Sequence, residues 1–284
     1  MTGSKPVIWF IAILAASLAC STSGTSAPVS NGPLDSNSLA TVVAGTAGAA
    51  AAETAQINLL NNFQSTETAQ ANPASATEMP VTPPVSAEGT SLLKLNDGSS
   101  VFTDSQGGYS IVVPSVWLAM RVGEQEFINA QISPANSDPQ LQNAFSVLRS
   151  RDPKIYRLVA IDTSTSDLKT GFVSTLSVAW ERDDSETIEQ NIAGAKKDFP
   201  KLSPPEKITY ADVGTTSTHI SMGIIESTSN GTTPSKQSVT LYQKQIIFKL
   251  KKGTLYFDMA AAIELKEKFV PGLDFMTDQI KMLP

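Results

Sequence analysis

The 284-residue chain has one cysteine and one histidine. A single cysteine excludes a disulfide framework and any multi-cysteine metal site, and a single histidine leaves little capacity for proton transfer near neutral pH. Lys and Arg are absent from residues 21–90, which hold five acids (Asp35, Glu53, Glu67, Glu78, Glu88) and one aromatic, Phe63. From Ser91 onward 22 acids face 20 bases, a balance of −2 within a whole-chain charge of −6, so no basic nucleic-acid surface and no nucleic-acid partner is expected. The G-x-S-x-G elbow is missing, as are the phosphate-cradling patterns G-x-x-x-x-G-K-[ST] and G-x-G-x-x-G. Most enzyme templates need residues this chain lacks. The expectation is a protein that is not an enzyme, with no catalytic residue, no cofactor and no metal site.

What is present begins with an address. Lys5 supplies a positive start, and Val7 to Ala19 is an apolar run of 13 residues that stops at Cys20 and a Ser/Thr tract. Such a run is too short to span ~30 Å of hydrocarbon and reads as a signal-peptide core over residues 1–19. Leu18 and Ala19 directly before Cys20, with a polar segment after it, resemble the lipobox of bacterial lipoproteins, although Ser17 stands where that family more often has Leu. The resemblance implies that the Cys20 thiol receives diacylglycerol, that the preceding peptide is removed, and that the new N-terminus is acylated. Each buried methylene contributes about 0.8 kcal/mol, so two or three acyl chains would hold the protein on a lipid bilayer. The alternatives are an ordinary signal peptide cleaved near Ala19, leaving a free thiol, and an uncleaved anchor.

Residues 20–94 follow as a low-complexity Ala/Ser/Thr/Pro linker. Its composition cannot bury enough apolar area to offset an ordering cost of about 1–2 kcal/mol per residue, so a disordered or partly helical tether is expected. Val42 to Ala76 is Ala-rich and could form a marginal helix; Asn72 to Pro84 carries Pro73, Pro80, Pro83 and Pro84 and should be extended. The tether reads as a stalk that lifts a domain away from the headgroups. No internal repeat of fixed period is apparent, which argues against solenoids and propellers.

One globular domain is expected over 95–284. Ser100 to Thr103, Tyr109 to Val113 and Trp117 to Val122 read as strands, with a turn at Gly107-Gly108. Asp138-Pro139 offers an N-cap and first-turn proline for a helix with Leu141, Phe145 and Leu148 on one face. Tyr156 to Ile161 and Phe172 to Trp180 read as strands, and Ile188, Ile192, Ala195 and Phe199 as a helix capped by Asp183 with Glu186. Lys207 to Val213, His219 to Ser227, Val239 to Leu250 and Leu255 to Ala262 follow as strands, with turns at Asn230-Gly231 and Lys252-Gly253. A last helix, begun around Pro271-Gly272, carries Phe269, Leu273, Met276 and Ile280 on one face.

Runs of strands joined by hairpins and interrupted by few helices predict an α+β fold, a mainly antiparallel sheet flanked by helices. The stretch Tyr109-Ser110-Ile111-Val112-Val113-Pro114-Ser115-Val116-Trp117 resembles the aromatic, apolar strand and Pro-x-x-Trp signature that opens PsbP-like domains, with Val116 where that family often has Gly. Leu255 to Leu283 resembles their closing hairpin and helix. The resemblance covers about 100–284 and implies an α/β/α sandwich whose relatives dock against membrane complexes on the extracytoplasmic side. No ion-ligand position is carried over from it.

Individual residues add little chemistry. His219, on a strand opposite Ile220, Met222 and Ile224, has no second His or Cys to form a metal site. Asp183, Asp184 and Glu186 could draw a divalent cation, but they fall where a helix N-terminus favours negative charge. Lys244, Lys249, Lys251 and Lys252 could meet anionic headgroups or an acidic partner, or protect a sheet edge. Trp117 and Trp180 are expected in the core. Asn230-Gly231-Thr232 fits an N-glycosylation pattern, without meaning in a bacterial lipoprotein. The sequence thus points to a lipid-anchored accessory or interaction module on the extracytoplasmic face of the cell membrane, with the bilayer and an envelope protein as partners. The alternative is a binder of a small solute or envelope polymer, with a pocket between sheet and helix.

Overall fold

The computed structural model describes residues 85–233 and 236–284. The signal peptide expected over 1–19, the Cys20 lipidation site and the tether up to residue 84 lie outside the described residues. Strand β1 (Thr90–Lys94) comes first, and largely apolar stretches produce β2 (Ser100–Asp104), β3 (Tyr109–Val113), β4 (Leu118–Met120), β5 (Tyr156–Ile161) and β6 (Thr175–Arg182). After them come β7 (Lys207–Thr215), β8 (Ser221–Thr232), β9 (Ser238–Leu250), β10 (Gly253–Ala262) and the short β11 (Lys281–Met282). Helices α1 (Gln125–Ile132), α2 (Pro139–Arg149), α3 (Thr165–Leu168), α4 (Ile188–Asp198) and α5 (Lys266–Asp278) interrupt or follow them.

Among the described residues the strands form a seven-stranded sheet in the order β4-β5-β6-β10-β9-β8-β7 and a four-stranded sheet in the order β1-β2-β3-β11. Every pairing is antiparallel. The expected α+β architecture, an antiparallel sheet flanked by helices, is what the chain forms. The separate four-stranded sheet was not anticipated.

The large sheet is buried on both faces. One face carries Leu158, Leu176, Val178, Trp180, Phe248, Phe257 and Met259, which pack with Phe102, Tyr109 and Ile111 of the small sheet and with Phe269, Leu273 and Met276 of α5. Trp117 stacks on Phe269 with ring centroids 4.8 Å apart. The opposite face supports α4 at one end, through Ile188, Ile192, Ala195 and Phe199 against Ala179, Ile225, Ile247 and Tyr256. At its other end it supports α1 and α2, where Phe127, Leu141, Phe145 and Leu148 pack on Met120, Val159 and Ile161. The N-cap of α2 is as expected: Asp138 accepts the Gln140 N–H at 2.8 Å, with Pro139 in the first turn.

Helices α1 and α3 and strand β11 were not expected, and several assigned features depart from the sequence reading. Thr90–Lys94, assigned to the linker that was to run to residue 94, is a strand paired along its length with β2, from Thr90 opposite Asp104 to Lys94 opposite Ser100. Its two adjacent leucines show no alternation, so only the backbone pairing with β2, with Leu92 packed against the core, reveals it. The cap of α4 is Thr187, not Asp183: Thr187 Oγ1 accepts the Gln190 N–H at 3.3 Å while Gln190 Oε1 accepts the Thr187 N–H at 2.8 Å. Asp183 instead has φ +61, and its N–H donates to the Lys252 carbonyl.

His219 is in no strand but in the reversal between β7 and β8, exposed and at φ +62. Thr215 pairs with Ser221, so residues 216–220 must turn, and Asp278 clamps that turn by accepting the Ser217 N–H at 2.5 Å and its hydroxyl at 2.6 Å. Asn230-Gly231 continues β8 opposite Thr240 and Val239, and the chain reverses between Thr233 and Gln237. The last helix starts at Lys266, five residues before Pro271, because the fully buried Phe269 holds the preceding turn against Trp117.

Candidate functional site

Between α2 and α4 the sheet face is polar. By register, Asp258 in β10 lies between Ser177 of β6 and Gln245 of β9, and the row beside it holds Thr175, Ala260, Gln243 and Ser227. These positions share a face with the apolar residues under α4 and form a strip across four strands. Ser177, Thr175, Gln243, Gln245 and Ser227 are buried, and Asp258 is half-buried.

Three charged groups converge on the strip. Arg151 follows the end of α2, where its N–H donates to the Leu148 carbonyl. The next residues form a tight turn in which the Asp152 carbonyl accepts the N–H groups of Ile155 and Tyr156. The turn brings the Arg151 guanidinium over the Tyr156 ring, 4.6 Å from its centroid, and Nη1 donates to the Tyr156 hydroxyl at 2.7 Å. Arg151 is 7% exposed, yet Nε and Nη2 have no protein partner among the described residues.

Asp258 Oδ1 accepts from Gln245 Nε2 at 2.7 Å. Burial pushes the Asp258 carboxyl up to about 6, with the Gln245 amide and the Arg151 charge opposing the shift. Among the described residues no direct ion pair joins Arg151 to Asp258.

Glu206 enters from the far side, just before β7, positioned by its N–H bond to the Phe199 carbonyl at 3.1 Å. Its Oε2 accepts from the Ser227 hydroxyl at 2.9 Å, while Oε1 is unpartnered. Glu206 is 2% exposed. Burial raises its carboxyl to about 7; Ser227 and Gln243 pull it down and the Asp258 charge pushes it further up.

Ser177 Oγ, Thr175 Oγ1, Gln243 Oε1 and Ser229 Oγ are also buried with no protein partner among the described residues. Each unpaired buried group costs about 1–3 kcal/mol, so a folded chain carries several together only where something polar completes them. Unpartnered atoms occur on the opposite face as well, at Tyr109, Trp117 and Tyr242, but they are uncharged groups of aromatic side chains. Among the described residues, the strip alone joins unpaired donors of a cation to unpaired acceptors of carboxylate and amide.

The sequence singled out none of these strip residues. Its available signal was parity. Gln243 and Gln245 in β9, and Asp258 in β10, put polar groups on a face whose strand neighbours Ile247 and Tyr256 are buried.

The residues that were singled out go elsewhere. Asp184 caps no helix: its Oδ2 accepts from the Thr254 hydroxyl at 2.8 Å, its carbonyl accepts from Lys249 Nζ, and its Oδ1 accepts the Glu186 N–H at 3.1 Å. The four lysines are not one open patch. Lys244 is buried and paired with Asp274 at 2.6 Å, Lys249 is engaged with Asp184 and Thr254, and Lys251 and Lys252 are exposed at the β9–β10 turn. Trp117 and Trp180 are in the core. Among the described residues no group of three or more His, Cys, Asp or Glu side chains is placed to hold a metal ion, and no helix is long and apolar enough to cross a membrane.

A third raised carboxyl has a local role. Asp167 in α3 accepts the Ser174 N–H and hydroxyl, both at 2.6 Å, and burial raises it to about 7. It pins α3 to the start of β6.

No family model and no curated protein matches the chain. Solved structures do show likeness. The cyanobacterial PsbP protein of Synechocystis is 12% identical, with 72% of this chain and 99% of that one covered at a TM-score of 0.41. LpqN of Mycobacterium tuberculosis, described as involved in cell envelope biogenesis, is 12% identical, with 69% and 91% covered at 0.39. The Ran-binding protein Mog1p of Saccharomyces cerevisiae is 8% identical, with 69% and 97% covered at 0.38.

Proposed function

We propose that this protein is a Cys20-anchored module on the extracytoplasmic face of the cell membrane, without enzymatic activity, that binds a small polar solute or a short piece of envelope polymer on the strip between α2 and α4. The anchor rests on Leu18-Ala19-Cys20 after the apolar run. The binding reading rests on one observation, the buried Arg151 guanidinium with two unpartnered N–H donors beside Asp258. Burying a cation without full pairing is expensive, and a ligand that supplies acceptors removes that penalty.

Docking to an envelope protein is the competing reading. It would use the outer edge of the large sheet, β7, where Tyr210 and Val213 are exposed. Thermal unfolding of the purified full chain across a panel of sugars, organic acids, amines and amino acids separates the two. The expected result is a rise in Tm with at least one class of solute, absent in Arg151→Met. A flat panel, together with a stoichiometric membrane protein partner that is lost on Tyr210→Lys, would establish docking instead.

A further inference from the structure

We infer that the strip receives a small amino-carboxylate, with the ligand carboxylate on Arg151 and its ammonium group between Asp258 and Glu206. This deepens the binding reading above and rests on it.

The argument starts with the shape of the free donors. Arg151 Nη1 is held by the Tyr156 hydroxyl at 2.7 Å, and the ring beneath fixes the guanidinium plane. The unpartnered atoms are Nε and Nη2, which form one edge of that plane. Two parallel N–H groups on one edge match the two oxygens of a carboxylate, a fit that a point cation such as lysine does not provide.

Charge then decides the other end. Asp258 lies in the field of the Arg151 guanidinium and Glu206 in that of Asp258, and neither carboxylate touches a cation among the described residues. A simple anion on Arg151 would add negative charge beside them. A ligand that brings its own cation balances the group. The unpaired atoms on that side agree, since Glu206 Oε1 and Gln243 Oε1 are both acceptors. An ammonium group offers three donors and no acceptor, so it can satisfy both and still reach a third oxygen.

Register sets the size. Asp258 lies opposite Gln245; Gln243 lies two residues further along the strip, about 7 Å in the strand direction, and Ser227 one strand beyond Gln243, about 5 Å further across, a gap that the Glu206 side chain bridges from the Ser227 side. That is the scale of an amino acid or a dipeptide. The hydroxyls of Ser177 and Thr175, both donor and acceptor, lie along the same floor and suit a peptide group or a hydroxylated side chain.

The test is calorimetric titration of the detergent-solubilised full chain at pH 7.5 with alanine and alanyl-alanine, with propionate and propylammonium as the separate halves, and with glucose as a neutral polyol. At least one of the two zwitterions should bind ten or more times more tightly than either half. Arg151→Lys should weaken zwitterion binding at least tenfold, and Glu206→Gln should weaken it while leaving propionate unchanged. Propionate or propylammonium binding as tightly as the zwitterions would overturn the inference in favour of a simple ion site. Glucose binding with no charged probe bound would overturn it while leaving the binding module intact, and silence from all five probes would overturn it also. The ranking in the unmodified chain decides by itself should a variant fail to fold.

Discussion

Arg157 Nε donates to Asp104 Oδ2 at 2.7 Å, and this pair joins the two sheets. Asp104 is fully buried at the end of β2, where its Oδ1 also accepts the N–H groups of Gln106 and Gly107 at 3.0 and 2.8 Å. Arg157 occupies the irregularity in β5, between the Tyr156–Ala179 and Leu158–Val178 pairs, which frees its side chain to leave the sheet. It also reaches the Glu88 carbonyl and lies over the Trp180 ring. Removing one partner of such a pair strands the other charge. Arg157→Met is therefore expected to lower unfolding free energy by about 3–5 kcal/mol in urea, and adding Asp104→Asn should recover much of that loss. An undiminished midpoint in the single variant would show that the sheets do not depend on this link.

Glu206 makes stability fall as pH rises. Burial lifts its carboxyl from the ordinary 4.5 to about 7, so the folded chain holds this proton more tightly than the unfolded chain does. The contribution is fully present below about 4.5 and is lost as pH rises through about 7. Glu206→Gln keeps an acceptor for the Ser227 hydroxyl and removes the charge. In ligand-free protein it should be more stable than the parent by ~1–3 kcal/mol at pH 8 and nearly equal to it at pH 4.5. Urea unfolding at the two pH values is the check, and an equal difference at both would show that ionisation of Glu206 is not the cause.

The cap of α4 discriminates between a sequence pattern and a formed bond. Asp183 with Glu186 has capping-box spacing, but the reciprocal bonds are made by Thr187 and Gln190. Thr187→Ala should cost about 1 kcal/mol. Asp183 pays for a left-handed backbone at φ +61, so Asp183→Gly should be neutral or stabilising by up to ~1 kcal/mol. The denaturation midpoint should fall in Thr187→Ala and hold or rise in Asp183→Gly. A larger loss in Asp183→Gly than in Thr187→Ala would reverse the assignment.

These cases show what local sequence can carry. Leu141, Phe145 and Leu148, or Ile188, Ile192 and Ala195, name their helices because the period of one helix is written in one short stretch. The strands β3, β5 and β10 are legible for the same reason. Thr90–Lys94 was missed because its adjacent leucines carry no strand period and only pairing with β2 defines it, and His219 because the pairing of Thr215 with Ser221 decides where the chain must turn. The strip was beyond reach for a stronger form of that reason. Arg151, Asp258 and Glu206 come from three separate segments, and only the order β6-β10-β9-β8 brings them to one face. No spacing within any segment records that order.

The anchor can be tested apart from the domain. Cys20 is the chain's single thiol, and the proposed anchor places an acyl group on it. An acyl chain contributes about 0.8 kcal/mol per buried methylene, and two or more chains together make release from a bilayer negligible. Cys20→Ala should abolish incorporation of a labelled fatty acid and move the protein from the membrane fraction to the soluble one. The first strand among the described residues, β1, begins at Thr90, 70 positions from Cys20, so the variant should keep the parent's Tm and its solute-dependent rise. Membrane retention unchanged in Cys20→Ala would mean that the apolar run at residues 7–19, not a lipid, holds the protein in place.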